Sequence, residues 1–104
     1  MTTWQEEIAV RNALATGEFK VFYQPIVDLE TRKPVGFEAL IRWDRPGVGL
    51  VAPDSFLPLV NSAGLAAAVG ADVLVQALKA WQDVLQPACA SIGVEDPYIS
   101  INLD

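Results

Sequence analysis

Hydrophobic and polar positions alternate with two different periods along the chain, and the switches between them divide it into elements. Trp4, Ile8, Leu14 and Ala15 recur at near-helical spacing, with Glu6 and Glu7 in the first turn and Gly17 as the stop, which predicts a helix over residues 4–16. The period then drops to two. Over residues 19–27, Phe19, Val21 and Tyr23 fall on one face and Lys20, Phe22, Gln24 and Ile26 on the other, and Pro25 places this strand at a sheet edge or strand end. The polar segment 28–34 is short enough for an antiparallel hairpin into a second strand at 35–43. A Pro/Gly-rich loop over 44–50 leads to a helix at 53–62, started by Pro53, Asp54 and Ser55. A longer helix is expected at 65–85, where Val69, Val73, Ala77, Trp81 and Leu85 form a core-facing stripe widened by Leu74 and Leu78. A loop over 86–97 and a strand at 98–103 complete the order, with Ile99, Ile101 and Leu103 opposed to Ser100 and Asn102.

The second strand carries an anomaly. Val35, Phe37, Ala39, Ile41 and Trp43 make one apolar face, whereas Gly36, Glu38, Leu40 and Arg42 share the other. Two charges on an otherwise apolar strand are costly unless a metal, a ligand or an ion partner compensates them. Glu38 fits either a hard cation or a structural ion pair with an arginine. Arg42 lies roughly 13 Å further along an ideal strand, too far for direct contact, so the two suit separate tasks.

Composition narrows the chemistry. The 104 residues are 52% hydrophobic, enough for a one-domain-sized chain with a modest core. With 13 acidic and 7 basic residues the net charge is −6, and no basic patch favours a nucleic-acid polymer or an anionic bilayer. The first ten residues hold two glutamates and no long apolar core, and no apolar run reaches spanning length, so neither a leader nor a membrane segment is expected and the cytoplasm is the default compartment. Histidine is absent, which removes Ser-His-Asp and Cys-His catalysis and His-ligated zinc. Cys89, the single cysteine, reads as a small apolar residue. Gly47 and Gly49 lack the Gly-Lys-Ser/Thr ending of a phosphate loop, and the adjacent Glu95 and Asp96 read as a solvated turn as readily as a metal site.

Four blocks carry a resemblance to a known family. Phe22-Tyr23-Gln24-Pro25-Ile26, Phe37-Glu38-Ala39-Leu40-Ile41-Arg42-Trp43, Pro53-Asp54-Ser55-Phe56-Leu57-Pro58-Leu59 and Ile99-Ser100-Ile101-Asn102-Leu103 occur in the order found in EAL domains, the bacterial cyclic di-GMP phosphodiesterases. The resemblance implies an α/β fold: part of a (β/α)8 TIM-like barrel, its N-terminal portion, with an antiparallel first strand. It implies that Glu38 and Asn102 ligate a divalent cation, Mg²⁺ or Mn²⁺, which prefers carboxylate and amide oxygens. It also assigns Arg42 to a ligand phosphate, through the paired hydrogen bonds of a guanidinium. Gln24 and Leu40 would line the ligand pocket, although Leu40 also suits barrel packing and Asn102 alone could bond a turn. One departure is Asn61, where the family's block ordinarily has glutamate.

The implied reaction is metal-assisted hydrolysis of cyclic di-GMP to linear pGpG. The family draws further acidic ligands and a lysine from later strands that have no counterpart in these residues, so the chain by itself is expected to be inactive. The alternative is a degenerate EAL module that binds cyclic di-GMP or a protein without turnover. A barrel of about 250 residues cannot close with this length, which leads one to expect a homodimer, a missing C-terminal half, or GGDEF and sensory domains in a parent chain.

Overall fold

A computed structural model describes residues 4–102. Helix α1 (Trp4–Ala15) ends at Gly17, whose φ of 70° lets the Glu18 N–H reach the Ala13 carbonyl at 2.9 Å. Its buried residues are Val10 and Ala13. The expected stripe is corrected here: Trp4 and Ile8 are exposed, because the helix turns a different, narrower face to the core.

Strands β1 (Phe19–Val27) and β2 (Pro34–Arg45) form an antiparallel hairpin in which Lys20 opposes Arg42, Phe22 opposes Leu40 and Gln24 opposes Glu38. The register shifts between Ile26 and Val27. Strand β2 runs further than expected, and the loop foreseen at 44–50 is instead a second hairpin. Gly47, at φ 77°, turns the chain into β3 (Gly49–Val51), which pairs with Trp43–Arg45.

Helix α2 (Pro53–Ser62) follows with Pro53 in its first turn. The long helix expected at 65–85 is interrupted. α3 (Ala66–Ala80) passes into a π-helical turn over Trp81–Leu85, and α4 (Gln86–Ser91) occupies much of the expected loop. Pro87 lacks an N–H and its ring crowds the preceding turn, so a wider i→i−5 turn upstream is the available accommodation. The Gln86 N–H bonds the Trp81 carbonyl in that pattern. Val69, Val73 and Ala77 are buried as expected, but Leu74 and Leu78 are exposed and Trp81 is only half-buried.

Strand β4 (Tyr98–Ile101) pairs with β2 in parallel, Glu38 opposite Ser100 and Ala39 opposite Ile101. Leu103 lies outside the described residues. Helices α1, α2 and α3 cover one face of the sheet. There Phe19, Ile41, Trp43 and Phe56 join Val10, Ala13, Val60, Val69 and Val73 in one core. Phe19, Trp43 and Phe56 form a ring triad with centroids 5.5–6.1 Å apart. Two polar ties fix helices to this layer: Gln76 Nε2 donates to the Phe19 carbonyl at 2.9 Å, and Arg11 Nη2 donates to the Ala63 carbonyl at 3.0 Å.

Candidate ligand-binding face

The pleat that sends Phe37, Ala39, Ile41 and Trp43 into the core must send Glu38, Leu40 and Arg42 to the opposite face. The hairpin register places Lys20, Phe22 and Gln24 beside them, and β4 adds Ser100. The open face is therefore built in rows across the strands. Lys20 and Arg42 form a cationic row, Phe22 and Leu40 an apolar row, and Gln24, Glu38 and Ser100 a row of one carboxylate between an amide and a hydroxyl. Ile26, Gly36 and Tyr98 close the far end, where Tyr98 ring atoms lie 2.8 Å from the position a Cβ on Gly36 would take.

The residues singled out from sequence fall on or beside this face. Gln24 and Glu38 are exposed and adjacent in the ladder. Leu40 is half-buried between Glu38 and Arg42. The Arg42 guanidinium donates from Nη1 to the Ile41 carbonyl at 2.7 Å, so it lies back along its own strand. Asn102, just beyond β4, joins Leu40, Arg42, Asp54 and Leu57 around a groove of about 230 Å³. It also touches a larger, mainly apolar cavity of about 280 Å³ between β2, α2 and α3, which Asn61 borders. Ser100, Phe22, Lys20 and Asp54 were not among the residues expected from sequence. For Phe22 and Lys20 the signal was the hairpin itself, since residues equidistant from Thr31, the centre of the 28–34 connection, face each other; Ser100 and Asp54 come from β4 and α2, whose placement beside β2 no local pattern announces.

The donor chemistry suits a hard cation, since Glu38 offers a carboxylate and Asn102 an amide oxygen. Asn102 lies two residues beyond Ser100, the strand neighbour of Glu38, a diagonal spacing of about 7–8 Å between backbones that side chains can span. Among the described residues no cluster of three or more His, Cys, Asp or Glu stands ready to hold a metal ion. The donor set fits in kind and is incomplete in number.

Near the cationic row, Glu18 closes the sheet's outer end. Its Oε1 accepts from Trp43 Nε1 at 3.0 Å and its Oε2 faces the Thr16 hydroxyl at 2.5 Å. These bonds, with the Thr16 contact the larger influence, then Trp43 and with a smaller pull from Arg45, hold the carboxyl below its ordinary pKa. Arg45 in turn lies over the Trp43 ring, 4.6 Å from its centroid.

A sheet whose first strand is antiparallel and whose next crossover is parallel, with helices on one face and a charged row on the other, has the form of an unclosed part of an α/β barrel. Residues 7–104 match the EAL domain family, and the chain belongs to that family. Among its relatives, the cyclic di-GMP phosphodiesterase PdeL of Escherichia coli K12 is 37% identical over 79 residues, which cover 76% of this chain and 21% of that enzyme. The solved EAL enzyme Bd1971, in a form with cAMP and cyclic di-GMP bound, superposes with a TM-score of 0.81 at 33% identity, over 95% of this chain and 27% of that one. The PaMucR phosphodiesterase in complex with c-di-GMP gives a TM-score of 0.75 at 33% identity, over 96% and 38%. The chain thus spans well under half the length of these relatives. Its α/β fold is that of EAL domain structures, with the barrel unclosed.

Proposed function

We propose that the open face of this sheet binds cyclic di-GMP and belongs to a phosphodiesterase site that hydrolyses it to linear pGpG. The observation that supports this reading is the alignment of Gln24, Glu38, Leu40 and Arg42 on one face, with Asn102 at its margin, in a chain whose relatives include a cyclic di-GMP phosphodiesterase and c-di-GMP complexes. Arg42 would turn from the Ile41 carbonyl to a phosphate and exchange a neutral acceptor for a charged one. Leu40 and Phe22 supply an apolar surface for a base, and Gln24 presents both an amide donor and an acceptor to its edge. Glu38 and Asn102 would hold Mg²⁺ or Mn²⁺. Such a cation, when bound, neutralises charge on the diester and lowers the pKa of water.

Binding without turnover is a second reading, favoured by the lack of a three-acid cluster among the described residues. Two measurements separate the readings. Calorimetry with cyclic di-GMP in Mg²⁺ or Mn²⁺ tests binding, and chromatography for pGpG tests turnover. Binding without pGpG selects the module; pGpG that disappears in Glu38→Ala selects the enzyme. Absence of binding refutes both.

A further inference from the structure

The geometry points to Lys20 as a second phosphate contact, paired with Arg42 across the β1–β2 ladder to form a two-cation clamp for the phosphodiester of a cyclic dinucleotide. This rests on the proposed binding of cyclic di-GMP to the open face, and it adds a residue that the site as read so far does not include. Lys20 and Arg42 are direct partners in the antiparallel register. Phe19 is fully buried on the helix side, so Lys20 must project to the open side, and it is exposed.

Two like charges directly opposite each other on one face destabilise a sheet, and among the described residues neither Lys20 nor Arg42 has an ion-pair partner, although Asp54 borders the same groove as Arg42. The acids nearest in the strands are Glu18 and Asp44. Glu18 directs its carboxylate to Thr16 and Trp43, and neither acid forms an ion pair with Lys20 or Arg42 among the described residues. Glu38 lies in the row beyond Phe22 and Leu40. A phosphodiester anion seated between the two strands would offset the repulsion, with Arg42 offering a planar fork and Lys20 a mobile point charge on a long stem. The clamp also explains how a chain of net charge −6 can attract an anion: the positive charge is local.

The test compares wild type with Lys20→Met, Lys20→Arg and, as a control on α3, Lys79→Met. Affinity for cyclic di-GMP is measured at low and at physiological ionic strength with the divalent cation held constant, and the ligand-free melting temperature is recorded for each. The clamp predicts that Lys20→Met binds about five- to tenfold more weakly and depends less steeply on salt, that Lys20→Arg retains affinity, and that Lys79→Met matches wild type. It also predicts that ligand-free Lys20→Met melts up to a few degrees higher, because the repulsion with Arg42 is gone. Wild-type binding with Lys20→Met within twofold of it overturns the clamp while leaving the proposed function standing. Loss of affinity together with a lower melting temperature assigns Lys20 a structural role and also overturns it. If wild type does not bind, the proposed function fails and the clamp with it.

Discussion

Gly36 shows how one residue ties the closing row of the open face to the fold. It stands opposite Tyr98, and any Cβ at that position would meet the ring at 2.8 Å. Tyr98 is about half exposed and can swing away, so Gly36→Ala should cost about 1 kcal/mol, at the low end of overpacking penalties. The cost should vanish in a Tyr98→Ser background, a coupling that urea unfolding of the double-mutant cycle will detect. Glu18 makes a different prediction. Its carboxyl is held below the ordinary value in the folded chain, so it contributes stability that is present above the unfolded pKa and lost as pH falls through the folded one. Thermal melts should therefore show a steeper acid-side loss below about pH 4.5 in wild type than in Glu18→Gln. The Gly36–Tyr98 and Glu18–Trp43 contacts were not legible in the sequence, because each depends on which residues the sheet sets side by side; the Thr16–Glu18 bond is local.

At the scale of elements, β1, β2, α1 and α2 lie within two residues of the bounds expected, although α1 buries Val10 and Ala13 rather than Trp4 and Ile8. The period-two runs around Phe19 and Phe37 and the start signal Pro53-Asp54-Ser55 are local, and local signals survive folding. Three features did not show. Gly49–Val51 is too short to display a period, and it becomes a strand only because the end of β2 offers it a partner. Pro87 reads as a helix end, yet a π turn upstream lets the helical path continue to Ser91. The irregularity between Ile26 and Val27 matters most for the site, since a one-residue slip would turn Gln24 and Lys20 away from Glu38 and Arg42. Alternation along one strand already put Glu38, Leu40 and Arg42 on a common face; adding Gln24 needed this register, and adding Asn102 needed the parallel pairing of β4 with β2. One polar tie between elements can be weighed directly. Gln76 holds the Phe19 carbonyl at 2.9 Å and Asp72 Oδ1 at 3.1 Å, so Gln76→Ala should cost about 1–2 kcal/mol in denaturant titrations, while exposed Gln82→Ala should change little.

The whole molecule is more extended than a closed domain of its length. Its radius of gyration is 15.8 Å, against about 13 Å for a compact chain of 100 residues. It is elongated, 50 Å along one axis against 24 and 23 Å along the others, and its sheet is covered unequally: one face by helices, while the other carries Lys20, Phe22, Gln24 and Glu38 in the open. The covered side sets stability. Phe56 is fully buried against Phe19 and Trp43, and Phe56→Ala should cost about 3–5 kcal/mol, a large share of any domain's margin, read as a collapse of the unfolding midpoint. Among the described residues no helix is long and apolar enough to cross a membrane.

The uncovered side is where function is assigned, and its most direct test is titration calorimetry of cyclic di-GMP against wild type and Arg42→Ala in the presence of Mg²⁺. Wild type should bind saturably and Arg42→Ala should lose about tenfold or more in affinity, with the fold unchanged by circular dichroism. Equal affinity in the two proteins, or no binding by wild type, would contradict that assignment.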